Sequence, residues 1–261
     1  MLRVLFIGDV FGSPGRRCLE ELLPELRRRL AVDLVVANGE NAAGGLGLNN
    51  AQARAMFLWG VDVITTGNHV WKQRDLVPLL EEEPHLLRPA NYPEGTPGRG
   101  WVRARARGGV EIGIVNLEGR TFMSPLDCPF ASLEAILAGP LKGLDLVCVD
   151  MHAEATSEKQ ALAWHFDGRV SAVVGTHTHV QTADERILPQ GTAYITDLGM
   201  TGPQASVIGM DPEAAVPRFR QQRPQPFRVA TGDPWLHGAL VTIDPASGLA
   251  SAIERIKEPL A

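Results

Sequence analysis

Short apolar runs alternate with amphipathic stretches through the N-terminal part of the chain, and the two patterns repeat with different periods. LRVLFIG (2–8) is apolar at nearly every position and predicts a core strand. Ser13 and Pro14 then read as a helix N-cap followed by proline in the first turn. Leu19, Leu22, Leu23, Leu26 and Leu30 recur at three- and four-residue steps, which puts them on one helical face. Pro24 falls inside that pattern and predicts a kink or a break. DLVVA (33–37) is a second strand, a helix follows over 50–59, VDVITT (61–66) is a third strand, and 75–82 holds another helix. This β-α-β-α order predicts a largely parallel sheet with helices packed on its faces.

The middle and end of the chain change period. Trp101–Arg107 alternates W-V-R-A-R-A-R, Gly108 and Gly109 turn it, and VEIGIVNLEG (110–119) returns as the second arm of a hairpin. LDLVCVDMH (144–152), SAVVGTHTH (171–179) and TAYITDLGM (192–200) predict three further strands, with a helix over 158–166. The C-terminal segment predicts a hairpin around Asp244–Gly248. A parallel half followed by an antiparallel-rich half implies two sheets packed together and flanked by helices, in one domain spanning 1–261. No repeat or low-complexity linker interrupts it, and 221–226 is only a polar, proline-bearing loop.

Composition narrows the classes of function. The 261 residues are 44% hydrophobic and 21% charged, an ordinary globular balance. The net charge of −5 supplies no electrostatic footprint for duplex nucleic acid, so a small anionic ligand needs a local positive centre. No run approaches the ~18 apolar residues of a membrane span, and the N-terminus is too short for a secretory signal. Cys18, Cys128 and Cys148 are odd in number and unpaired in spacing, and Cys148 lies in an apolar run as a buried thiol. The chain reads as soluble and cytoplasmic, without a membrane partner; a homo-oligomer is compatible with it.

The candidate chemistry lies at the ends of the predicted strands. They close on Gly8-Asp9, Gly39-Glu40-Asn41, Gly67-Asn68-His69, Asp150-Met151-His152 and Gly175-Thr176-His177-Thr178-His179. Each alone is ordinary turn, cap or core chemistry. Together, in an open α/β sheet, they converge on the crevice beyond the carboxyl ends of the strands. His177 and His179, as alternate strand residues, would share one face. Asp9, Glu40, Asn41, Asn68, His152, His177 and His179 supply oxygens and imidazole nitrogens without a thiolate. Seven donors exceed one tetrahedral zinc and suit two ions sharing a carboxylate, with manganese, iron, zinc or nickel all accommodated. Two such ions about 3.5–4 Å apart clamp the attacking and leaving oxygens of an in-line displacement at phosphorus.

These blocks resemble the calcineurin-like metallophosphoesterase superfamily. Gly8-Asp9, Gly67-Asn68-His69, His152 and G-T-H-T-H (175–179) occur in the order of that family. Phe11 stands where the family has a histidine, Glu40-Asn41 replaces its bridging aspartate block, and Val70 follows His69. Those departures, with GENAAGG (39–45) and NLEGRTFM (116–123), resemble the YmdB-like branch, which is associated with 2′,3′-cyclic nucleotides and other phosphodiesters.

The resemblance implies a four-layer αββα sandwich of two mixed sheets flanked by helices. It also implies a dinuclear centre, iron or manganese ahead of zinc or nickel. Glu40 would bridge, Asp9, Asn41 and His179 would complete one site, and Asn68, His152 and His177 the other. His69 would be the general acid for attack by a bridging hydroxide on a small phosphodiester. Arg120 and Thr121 stand in a loop and are either pocket-lining or solvated, and Phe11 either stacks on a base or packs beneath the metals. Three other readings stay open: a metal-retaining regulatory protein acting through a partner, an RNA-directed nuclease using the same site, and an amide hydrolase.

Overall fold

The computed structural model describes residues 1–224 and 226–260; Gln225, inside the expected 221–226 loop, and Ala261, at the end of the expected domain, lie outside the described residues. The first strand, β1 (Leu2–Ile7), runs into the short β2 (Asp9–Val10) and helix α1 (Gly12–Arg29). Then follow β3 (Leu34–Asn38), α2 (Asn50–Leu58), β4 (Val63–Thr65) and α3 (Val77–Glu82). The middle comprises β5 (Trp101–Arg105), β6 (Glu111–Glu118), α4 (Pro129–Ala138), β7 (Val147–His152), α5 (Thr156–His165) and β8 (Ala172–Thr176). The remainder is β9 (Arg186–Ile187), β10 (Ala193–Ile195), β11 (Met200–Pro203), α6 (Pro212–Gln221), β12 (Pro234–Ile243) and β13 (Ala250–Pro259).

Two mixed sheets form, ordered β2-β11-β12-β1-β3-β4 with β13 added beside β12, and β5-β6-β7-β8-β10-β9. Strand parity explains how they stack. Val4, Phe6, Leu34 and Val36 of the first sheet share a buried core with Ile112, Ile114, Cys148 and Val174 of the second. Their immediate neighbours face the other way: Leu5, Ile7 and Val35 pack on Leu19, Leu23 and Met56 of α1 and α2. On the far side Val149, Met151 and Val173 pack on Leu133 and Leu162 of α4 and α5. Strands buried on both faces must be apolar at consecutive positions, which is why these segments read as runs instead of alternating. The result is the αββα sandwich. Among the described residues no helix is long and apolar enough to cross a membrane, and the three cysteines are free, with Cys148 buried.

Several local expectations change. Ser13 is not an N-cap: Phe11 takes that position, because its N–H bonds Thr201 O and the Gly12 N–H bonds Asn41 O, so the chain enters the helix earlier. Pro24 does not break α1. Leu19, Leu23 and Leu26 are buried, and at about 1.5–3 kcal/mol each their burial exceeds the ~3 kcal/mol cost of one interior proline. The expected strand over 192–200 divides into β10 in one sheet and β11 in the other. The expected antiparallel half is not a separate sheet: β12 pairs antiparallel with β1, while the centre of the second sheet, β6-β7-β8-β10, is parallel. α4 and α6, which periodicity did not single out, complete the chain.

Candidate metal centre

The five polar strand ends do meet. Asp9 follows β1, Glu40 and Asn41 follow β3, Asn68 and His69 follow β4, His152 ends β7, and His177 and His179 follow β8. His177 and His179 do not share a strand face as expected. β8 stops at Thr176, and both histidines take left-handed backbone, with φ of 99° and 67°. Such geometry is costly for a residue with a Cβ and persists only where its surroundings hold it. Asp197 provides that hold: its Oδ2 accepts from the Thr178 N–H (3.1 Å), the Thr178 hydroxyl (2.8 Å) and the ammonium of fully buried Lys159 (2.8 Å).

Each histidine has one ring nitrogen anchored and the other turned inward. His152 Nδ1 donates to Thr176 Oγ1 (2.9 Å), whose single hydroxyl proton goes to Asp150 Oδ1 (2.7 Å). His177 Nε2 lies 3.1 Å from Glu154 Oε2, and His179 Nδ1 donates to the Ile208 carbonyl (2.9 Å). The free nitrogens converge with oxygens: His152 Nε2 is 3.0 Å from Asn68 Oδ1, 3.1 Å from His177 Nδ1 and 3.2 Å from Glu40 Oε2. His179 Nε2 is 3.0 Å from the Asn41 amide nitrogen and 3.7 Å from Asp9 Oδ1. Anchored outer nitrogens and converging inner ones are how metal-binding imidazoles are set. Glu40, His152 and His177 alone bring ligand atoms within 4.8 Å of one another and could hold a metal ion. Asp9 Oδ1 is buried without a hydrogen-bond partner among the described residues, a carboxylate oxygen left for a cation. The donor set therefore fits the implied metal chemistry.

Electrostatics point the same way. Burial alone would raise the Glu40 carboxyl, but His152 and His69 overcome it and hold it well below the usual range. Burial would lower His152, yet Glu40, Asp9 and Asp150 push it up to about 9. Burial raises Asp9 to about 6, and burial together with His152 lowers His177 to about 3. Space is as tight as charge. A Cβ on Gly67 would stand 2.2 Å from His152 Nε2 and 2.5 Å from Glu40 Oε2, so only glycine allows this approach.

His69 lines the cleft, and its Nδ1 is 2.9 Å from Asn41 Oδ1 and 3.2 Å from Glu40 Oε1. The cleft, about 300 Å³, has an apolar wall of Phe11, Leu46, Ile208, Met210 and Phe227. Phe11 is buried edge-on to His179, so it packs beneath the site, and Phe227, which sequence reasoning missed, is the more exposed ring. Arg120 and Thr121 do not line the cleft; their backbone amides are held by Glu158.

Other contributors also escaped the sequence. Asp150 Oδ2 accepts from Thr65 Oγ1 (2.5 Å) and Asn38 Nδ2 (3.3 Å), tying the two sheets together under His152. Glu118 is fully buried, bonded to the Tyr92 hydroxyl (3.2 Å), and raised to about 7 by burial. Parity was the available signal: Asn38, Thr65, Asp150 and Thr176 are polar residues at core-facing positions of otherwise apolar strands.

A family model described as YmdB-like protein matches residues 5–256. The chain is 49% identical over 255 residues to the 2′,3′-cyclic-nucleotide 2′-phosphodiesterase of Bacillus subtilis strain 168, covering 98% of this chain and 96% of that one. It superposes with a TM-score of 0.93 on a hypothetical protein from Thermus thermophilus, 47% identical, with 99% of each chain covered. The same TM-score relates it to a novel phosphatase from Mycoplasma pneumoniae, 35% identical, over 99% of this chain and 93% of that one. Match length and identity lead to one conclusion: the chain belongs to the YmdB-like protein family.

Proposed function

We propose that this chain is a phosphodiesterase that hydrolyses small phosphodiesters, 2′,3′-cyclic nucleotides first among them, at a two-metal centre. The observation that carries the reading is the set of three histidines, each anchored through its outer nitrogen and aimed inward at Glu40, Asn68, Asn41 and Asp9. The similarity to a 2′,3′-cyclic-nucleotide 2′-phosphodiesterase supports the substrate class.

Asn68, His152 and His177 would hold one ion, and Asp9, Asn41 and His179 the other. Glu40 suits the position between them because its oxygens diverge, Oε2 toward His152 (3.2 Å) and Oε1 toward the Asn41 amide (2.9 Å). An oxygen-rich set with imidazoles suits iron or manganese, with zinc or nickel also accepted. Bound ions would supply positive charge for the phosphate and activate the attacking water. The rest falls to the chain's own groups. The apolar wall with Phe227 accepts the nucleoside and keeps bulk water from one side of the phosphate. His69 has Nδ1 occupied by Asn41 and Glu40, which leaves Nε2 to pass a proton to the departing sugar oxygen as the P–O bond breaks.

Metal analysis combined with a panel of 2′,3′-cyclic, 3′,5′-cyclic, monoester and oligonucleotide phosphates tests this. Two metals per chain and a preference for the 2′,3′-cyclic diester are expected. Fewer than two metals under replete conditions with no turnover of any substrate would sink the proposal. His69→Ala should keep its metal, lose turnover on nucleotides and spare activated aryl phosphodiesters, whose leaving groups need no acid. Equal loss on both removes His69 from the proton-donor role.

A further inference from the structure

Outside its candidate metal ligands and His69, the cleft offers a substrate little that is polar. The other residues lining it are apolar or glycine, apart from Thr178 and Glu154. The Thr178 hydroxyl is already given to Asp197 (2.8 Å). Glu154 stands two residues past His152, just beyond the end of β7, and its side chain is about half exposed. Its Oε2 lies 3.1 Å from His177 Nε2. Among the described residues no lysine or arginine lines the cleft, and none forms an ion pair with Glu154. Arg120, on the neighbouring loop, does neither.

A histidine that gives Nδ1 to a metal is a neutral ring whose one N–H is on Nε2. His177 therefore donates to Glu154 without cancelling its charge, and that carboxylate is the one formal charge on the cleft wall outside the candidate ligands. A phosphate at the metal position would be balanced by the ions. A second phosphate on the same molecule would find no cation on the wall and would meet Glu154. A cube of the cleft's volume, about 300 Å³, has an edge of about 7 Å, shorter than the ~10 Å Debye length at about 0.1 M salt. A second phosphate held there is only partly screened from Glu154. At that separation, and at an effective dielectric constant of about 40, two unit charges repel enough to cost about tenfold in affinity.

We infer that Glu154 is a specificity-determining residue, a charge filter that restricts the cleft to substrates with a single phosphate. The inference rests on the function proposed above and narrows its substrate class. A 2′,3′-cyclic nucleotide with a free 5′-hydroxyl passes. The same nucleotide with a 5′-phosphate, or at the 3′-end of an oligonucleotide, is turned away, which sets the chain apart from an RNA-directed nuclease. This role is distinct from the bond to His177, which orients a ligand and serves every substrate alike.

The test compares kcat/KM for a 2′,3′-cyclic nucleotide and its 5′-phosphorylated form on metal-replete full-length protein. Wild type should prefer the first by about tenfold, and Glu154→Gln, whose amide oxygen still accepts from His177, should bring the ratio near one. Glu154→Asp, which keeps the charge, should keep the preference whatever it does to the rate. Salt at about 1 M, where the Debye length is about 3 Å, should erode the wild-type ratio and leave that of Glu154→Gln unchanged. A residue that only orients His177 would slow both substrates equally and give no salt-dependent ratio. A wild-type ratio near one, or a ratio that Glu154→Gln leaves intact, overturns the filter. Calorimetric titration of a nucleoside 3′-monophosphate and a 3′,5′-bisphosphate separates this from the proposed function. If neither cyclic nucleotide is hydrolysed, that function fails. The filter then stands only if wild type binds the monophosphate about tenfold more tightly and Glu154→Gln binds both alike.

Discussion

Thr176 orients His152: its hydroxyl gives its one proton to Asp150 and therefore accepts from His152 Nδ1 at 2.9 Å, turning Nε2 toward Glu40 and Asn68. Thr176→Val keeps the shape but removes this hydrogen-bond relay. Metal affinity should fall about 10–100-fold, the usual effect of losing an outer hydrogen bond to a ligating histidine. Chelator competition measures it, and Thr176→Ser should restore most of the loss. Unchanged affinity in Thr176→Val would mean that packing alone sets the ring.

Gly67→Ala should expel metal without unfolding the chain. Its Cβ would occupy the approach between His152 and Glu40, at 2.2 and 2.5 Å, so the ligands must part. Gly232→Ala, where the nearest atom is 3.7 Å away, is the matched control. Atomic emission should show depleted metal only in the first variant, with comparable melting temperatures.

Metal binding should release protons near neutral pH. His152 is raised to about 9 by Glu40, Asp9 and Asp150 against the effect of burial, so in metal-free protein it carries a proton that a cation displaces. Calorimetry in buffers of different ionisation enthalpy reads that release. The sign for stability follows from linkage. A histidine raised on folding contributes fully below its unfolded value of about 6.5 and loses the contribution as pH rises through about 9. Metal-free protein should therefore melt at a lower temperature at about pH 9.5 than at about pH 6.5, and metal should narrow the difference.

Lys159→Met should destabilise the fold by about 3–5 kcal/mol, because it strands the Asp197 carboxylate, which is buried with it. Asp197 also holds Thr178, so the turn carrying His177 and His179 should loosen. Urea denaturation measures the first effect and metal affinity the second. A stability loss with unaltered metal affinity would confine the pair to the core.

The sequence by itself determined the layered α/β architecture, because strands buried on both faces must be apolar runs and covering helices must carry an apolar stripe. It also marked Asp9, Glu40, Asn41, Asn68, His69, His152, His177 and His179 as polar interruptions at strand ends, where a core residue would be apolar. Tertiary structure decided what local pattern does not encode. β12 pairs with β1 across more than two hundred positions of chain, and that pairing, rather than any local period, assigns the C-terminal hairpin to the first sheet. His177 and His179 read as strand residues, yet Asp197 and Lys159 bend them into left-handed backbone that their own sequence disfavours. Asp150 and Thr176 take on their role only when the sheets stack and bring Thr65, Asn38 and His152 within hydrogen-bond reach. Whether a buried polar group meets a partner depends on which faces are brought together, and only the assembled layers fix that.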